Sequence, residues 1–195
     1  MPKKSKKGTR YENELPKKFS LWWSEGKDPS IFIKTHGSGS RGTNRAKRGE
    51  STKWSAGDMT FEDPIGKPLI ELFLMELKRG YSGKNGVSIM DMIDGKKKNV
   101  LLRQWIDKAK SEQKEAGRFS WMIAIRRDYK NSMVVIEYNG FIHLCGISGG
   151  MPDFVVVNRE CVFVPLDQFF GLFNRQTFEL LLKEIEEINA RKTDH

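Results

Sequence analysis

Apolar residues in this chain recur with two periods, and the change from one to the other marks out its elements. Between residues 11 and 26, Leu15, Phe19, Trp22 and Trp23 return at helical spacing, and Gly26 stops the pattern. Glu12 falls on the same stripe, where an inward-pointing carboxylate needs a partner. Pro16 complicates the start, because proline sits comfortably only in a first helical turn. Either the helix begins near Asn13 with Glu12 just outside it, or it is kinked. Residues 31–35 are short and β-rich, a first strand. The run 69–75 is apolar without a turn residue and suits a buried strand. Residues 57–62, set off from it by Asp63-Pro64 and Gly66-Lys67-Pro68, read as its antiparallel partner. A second helix covers 100–116, with Leu101, Leu102, Trp105, Ile106 and Ala109 on its apolar face and Gly117 as its stop. Residues 119–125 and 133–138 make a hairpin about the turn 127–132, and 141–145, 154–157 and 161–164 read as further short strands. A last amphipathic helix, 175–190, carries the stripe Phe178, Leu181, Leu182, Ile185 and Ile188, which serves packing or a dimer surface.

Composition narrows the reading. At 195 residues the chain is long enough for one domain with a sizeable core. Its formal charge of +9 points to a polyanionic partner. No apolar run approaches the ~20 residues of a membrane span, and the basic N-terminus lacks the apolar stretch of a secretory signal. Cys145 and Cys161 lack CxxC spacing and lie in apolar, strand-like surroundings, so they read as free core thiols of a reducing cytoplasm. The chain divides into a basic flexible tail (1–8), a main domain (9–170) with 80–99 as an insertion or flap, and a C-terminal helix (171–195) for packing or dimerisation.

The chemistry concentrates in residues 57–79. At the end of the apolar run a carboxylate and an amine stand two residues apart, so Glu76 and Lys78 share one strand face while Leu77 points away. The preceding hairpin could bring Asp58 beside Glu76. Two converging carboxylates with water and phosphate oxygens suit Mg²⁺, which rarely takes an all-protein cage. A lysine alongside can orient or deprotonate water and neutralise a phosphorane-like transition state. The competing reading is a solvated strand end with a surface ion pair. Upstream, His36-Gly37-Ser38-Gly39-Ser40-Arg41 leads into a loop with Arg45, Lys47, Arg48 and Lys53; it is a flexible turn or a phosphate contact, and no Gly-Lys-Ser/Thr makes it a nucleotide cradle. Pro152-Asp153 is a decoy, since Glu160-Cys161-Val162 lacks the lysine. His36, His143 and His195 have no metal spacing, and no Ser/His/Asp arrangement is present.

Taken in order, these pieces resemble the core of the PD-(D/E)XK nuclease superfamily, and within it the archaeal-type Holliday junction resolvases. The resemblance rests on Gly8-Thr9-Arg10-Tyr11-Glu12, the Gly37-Ser38-Gly39-Ser40 loop, Gly57-Asp58, Met75-Glu76-Leu77-Lys78 and Arg103-Gln104, and covers roughly residues 8–138. Phage and prophage proteins with a similar Gly-Ser-Gly loop and Glu-Leu-Lys-Arg-Gly-Tyr are also alike. It implies an α/β, restriction-endonuclease-like αβββαβ core, a mixed central sheet flanked by helices, with extra C-terminal strands and a helix. It further implies that Asp58 and Glu76 ligate Mg²⁺ (Mn²⁺ substituting) with the Leu77 carbonyl, and that Lys78 positions or activates the attacking water. Glu12 would hold a metal-bound water or a second metal, Ser38 or Ser40 would lie near the scissile phosphate, and Gln104 would support the site. Ser40, Arg41, Arg45, Lys47, Arg48, Lys53 and Arg79 are the DNA-binding candidates. Gly57 stands where the family has proline, a change that a mere turn former would tolerate.

The expected activity is metal-dependent DNA endonuclease cleavage in the bacterial cytoplasm, in phage or prophage DNA metabolism. The substrate is branched or duplex DNA, and a homodimer would supply two active sites to a four-way junction. A linear-duplex or nicking endonuclease, or a non-catalytic DNA-binding module on the same fold, are the competing readings.

Overall fold

In the computed structural model, which describes residues 6–35, 56–79, 101–127, 130–157 and 160–193, helix α1 (Lys6–Trp23) leads into strands β1 (Phe32–Lys34) and β2 (Met59–Phe61). A 3₁₀ turn (Pro64–Gly66), helix α2 (Lys67–Leu72) and strand β3 (Phe73–Arg79) follow, then α3 (Leu101–Glu115) and β4 (Ser120–Arg126). The rest is β5 (Ser132–Glu137), α4 (Tyr138–Ser148), β6 (Val155–Val157), β7 (Cys161–Pro165), α5 (Leu166–Leu172) and α6 (Arg175–Thr193). With α2 set aside, the first six elements run αβββαβ, the restriction-endonuclease-like order. Among the described residues no helix is long and apolar enough to cross a membrane.

The main sheet is mixed. Its strand order is β3-β4-β5-β7-β6, with β3 and β4 parallel and the other pairs antiparallel. A parallel pair needs a long crossover, which here contains α3. Strand alternation sorts its side chains into two cores. Phe73, Met75 and Leu77 join the core that also takes residues of α1, α2, α4, α5 and α6, whereas Leu74 faces Leu102, Trp105, Ile106 and Ala109 of α3. Glu76 and Lys78, in phase with Leu74, therefore face α3.

Helix α1 runs through Pro16 and reaches back to Lys6, into the segment assigned to the basic tail. Its buried stripe is Tyr11, Leu15, Phe19 and Trp23. Ser20, on the turn after Pro16, donates to the Pro16 carbonyl at 2.9 Å and accepts from the Phe32 N–H at 2.8 Å, which pins β1 to the helix. Trp22 caps the far end of the chain: its indole N–H donates to the carbonyls of Phe170 (3.1 Å) and Phe173 (2.8 Å). Phe178 and Leu181 of α6 are buried in the same core, with Leu182 and Ile185 packed against it, so much of the C-terminal stripe is spent on packing, while Ile188 stays exposed.

Two strand assignments need correcting. The run 69–75 is divided: Asp63 accepts from the Ile65 N–H at 2.9 Å, Pro64 and Pro68 suit first turns, and a short helix continues to Leu72 before the chain extends at Phe73. A short apolar run carries too few residues to separate a buried helix from a strand. Residues 141–145 are helical, not extended. Phe141, Leu144 and Cys145 are buried while Ile142 and His143 are exposed, a 3.6-residue period, and Gly149 closes the helix in the left-handed region at φ 72°. His143 meets the Phe119 ring edge-on at 5.4 Å between centroids. The hairpin partner is also revised: β2 pairs with β1, Phe32 opposite Phe61 and Lys34 opposite Met59.

Both cysteines are free and buried, Cys145 in α4 and Cys161 in β7. Burial pushes the Cys145 thiol up to about 11 and, with the nearby Glu160 charge, the Cys161 thiol to about 12. At pH 8 the reactive thiolate is then about one part in a thousand or less. A disulfide-exchange chromophore should leave both thiols unlabelled for many minutes in the native chain and titrate two equivalents in denaturant.

Candidate active site

The site forms where β3 emerges from under α3. Met75 and Leu77 send their side chains into the opposite core, so what they offer here is main chain. The Asp58 N–H donates to the Met75 carbonyl at 2.7 Å, and the Asp58 carbonyl accepts from the Thr35 N–H at 3.0 Å. Asp58 thus links β1 to β3. Its carboxylate folds back onto the strand, where Oδ2 accepts from the Leu77 N–H at 3.0 Å. Gly57 makes this possible. It has φ +78°, a conformation closed to proline and strained for any side chain, and a Cβ there would lie 2.6 Å from the Met75 carbonyl oxygen. Gly57 is therefore more than a turn former in place of proline, because its bare backbone lies directly against β3.

One ammonium joins the two acids. Lys78 Nζ donates to Asp58 Oδ2 at 3.2 Å and to Glu76 Oε2 in a shorter contact. Glu76 is 1% exposed, and its other oxygen, Oε1, accepts from Lys108 Nζ at 2.9 Å. Lys108, on α3, also reaches Glu112 Oε1 one turn on, at 3.1 Å. Burial, reinforced by the Glu76 charge, raises the Asp58 carboxyl above the usual carboxylate range, against the pull of Lys78. Burial acts the same way on Glu76, but Lys78 and Lys108 together outweigh it and hold that carboxyl low. Burial alone would lower the Lys78 ammonium, yet Glu76 and Asp58 raise it, so in this state Lys78 is a cation and not a base.

Asp58, Glu76, Lys78 and the main chain of Leu77 are thereby brought together. Gln104 is exposed on α3; Lys108, one turn later, contacts Glu76, and Glu112, a turn further on, comes close enough that burial and the Glu76 charge raise its carboxyl. The polar sequence Gln104, Lys108, Glu112 at four-residue spacing was the available signal for Lys108 and Glu112, both missed. Arg79 places its guanidinium 5.9 Å above the Tyr11 ring, drawn toward α1. Glu12 lies in the second turn of α1, with its side chain outside the described residues. Ser38, Ser40, Arg41, Arg45, Lys47, Arg48 and Lys53 also lie outside them.

Among the described residues, no group of three or more His, Cys, Asp or Glu side chains is arranged to hold a metal ion. The pair Asp58 and Glu76 nonetheless fits a hard cation: both are oxygen donors, they already share one positive charge, and Mg²⁺ completes its shell with water.

An αβββαβ core that sets an aspartate from the β2 end beside Glu-x-Lys on β3 is that of the PD-(D/E)XK nucleases. The chain matches the family model described as "Phage putative PDDEXK endonuclease" over residues 3–147, and it belongs to that family. Comparison with curated proteins and with solved structures returned no match.

Replacing Gly57 tests how the site is held. Gly57→Ala forces a side chain into the left-handed region, at a cost of about 1–3 kcal/mol, and against the Met75 carbonyl besides. A urea titration should show the midpoint falling accordingly, with Gly26→Ala as a comparison, since Gly26 shares the positive φ but a Cβ there meets nothing within 4 Å.

Proposed function

We propose that this phage-family protein is a metal-dependent DNA endonuclease acting at the end of β3, structure-specific and resolvase-like in its choice of branched DNA. The observation that carries the reading is the Lys78 ammonium held between Asp58 Oδ2 and Glu76 Oε2. Two carboxylates and a lysine on a largely buried strand end are costly to desolvate unless they serve a ligand, and the +9 charge suits a phosphate polymer.

Asp58, Glu76 and the Leu77 carbonyl would hold Mg²⁺ or Mn²⁺. When bound, such an ion polarises a phosphoryl oxygen and lowers the pKa of water. The protein's own part is positioning. The Leu77 N–H fixes the Asp58 carboxylate, and the protonated Lys78 orients the attacking water and offsets charge on the phosphorane-like transition state. Glu12 on α1, Ser38 or Ser40, and Gln104 complete the site. Arg41, Arg45, Lys47, Arg48, Lys53 and Arg79 contact the DNA backbone, and a C2 dimer cuts the two strands of a junction symmetrically.

Wild type, Glu76→Ala and Lys78→Ala should be incubated with a labelled four-way junction and a matched linear duplex, in Mg²⁺ and in EDTA. Wild type should cut the junction in Mg²⁺ alone, with each variant reduced by about 10²–10³-fold or more while binding is retained. Equal cutting of both substrates would keep the endonuclease and discard junction preference. Binding without cleavage by wild type under every condition would leave a DNA-binding module on a nuclease fold.

A further inference from the structure

Glu76 is doubly neutralised, and only one of its lysines belongs to the Glu-x-Lys segment. Lys78 arises on the same strand and lies between Glu76 and Asp58. Lys108 comes from α3, is about half exposed (51%), and lies between Glu76 Oε1 (2.9 Å) and Glu112 Oε1 (3.1 Å). The two cations are thus placed alike, each shared by two carboxylates with Glu76 common to both. Their freedom differs. Lys78 has a side-chain exposure of 16% and is enclosed by the strand, whereas Lys108 stands on a helix surface with Glu112 one turn away as a second seat.

We propose that Lys108 is a resident counter-cation of the metal site: it stabilises the buried Glu76 carboxylate while no divalent ion is bound, competes with that ion for Glu76, and moves onto Glu112 when the ion arrives. The inference rests on the metal-dependent reading above and deepens it by making Lys108 a positioning residue that tunes metal affinity. Physically, an unpaired carboxylate at 1% exposure is strongly disfavoured, so the metal-free protein needs a cation on each oxygen of Glu76. A divalent ion on Glu76 supplies that charge itself, and a neighbouring ammonium then only repels it. Even at the dielectric of water, one unit charge beside a divalent ion alters its affinity by roughly tenfold.

The signs of three variants follow. Lys108→Met should lower the melting temperature of the metal-free protein by about 2–4 °C and bind Mg²⁺, or non-catalytic Ca²⁺, about tenfold more tightly. Saturating metal should close the gap in melting temperature to wild type. Lys108→Arg, which keeps the charge, should behave as wild type. Glu112→Gln should weaken metal binding by removing the seat that receives Lys108, and most of that effect should vanish when Lys108 is methionine. The readouts are thermal unfolding with and without metal and calorimetric titration of Ca²⁺, neither of which requires turnover. If Lys108→Met loses stability equally with and without metal, or binds metal no more tightly than wild type, Lys108 is an ordinary helix-surface ion pair and the proposal fails alone. If neither wild type nor variant responds to either ion, the metal reading of the whole site fails and takes the proposal with it.

Discussion

A carboxylate that is 1% exposed cannot stay charged without close cations, and that requirement at Glu76 organises the structure around it. Strand β3 must supply Lys78 on the same face, two residues on. Helix α3 must lie close enough to the sheet for Lys108 to reach the second oxygen, which the small, fully buried Ala109 beside it allows. The crossover from β3 to β4 is obligatory for a parallel pair, so the helix that closes the sheet topologically is also the one that completes the charge balance of the site. The same electrostatics explains why the two acids differ. Glu76 has two ammonium partners that outweigh its burial and hold it ionised, while burial and the neighbouring Glu76 charge raise Asp58 against the pull of Lys78.

The second constraint is steric. β1 and β2 form their own two-stranded ladder, and Asp58 ties it to β3 by donating its N–H to the Met75 carbonyl and accepting the Leu77 N–H on its carboxylate. This approach leaves no room for a side chain at Gly57. A proline before the aspartate, the residue of the wider superfamily, could not adopt φ +78°. In this chain a left-handed glycine turn therefore sets the aspartate beside Glu-x-Lys.

How far the sequence discloses all this depends on how local each signal is. Glu76 and Lys78 share a face because strands alternate, a rule that needs no tertiary information. Asp58 is placed beside them by contacts remote in sequence, its N–H on the Met75 carbonyl and its carbonyl under the Thr35 N–H, so the hairpin reading found the right neighbour by the wrong route. The α3 stripe of Leu102, Trp105, Ile106 and Ala109 is long enough to fix its period, and so is the β4–β5 hairpin. Ambiguity lies where a run is short: Leu69 to Leu72 and Phe141 to Cys145 hold too few turns for periodicity to choose, and the capping chemistry of Asp63, Pro64 and Gly149 decides instead. Lys108 was illegible for another reason. A lysine on the polar side of an amphipathic helix reads as solvated until the strand beneath it is known to carry a buried acid.

The segment beyond the family match bears on the site as well. Residues after 147 supply β6, β7, α5 and α6, and Glu160, just ahead of β7, receives Arg103 and Lys110 of α3, the latter at 2.5 Å. Those two cations hold Glu160 ionised below the usual range against its partial burial. Lys108 lies between Arg103 and Lys110 on the same helix, and Cys161 and Phe163 of β7 pack in the core beneath that helix. Glu160 and the β7 side chains therefore add an outer set of contacts to α3, whose seat on β3 and β4 fixes the reach of Lys108 to Glu76. A helix free to roll by even one residue's rotation, about 100°, would carry that ammonium out of range. The extension thus acts as the outer support of a site whose acids lie entirely in the matched part.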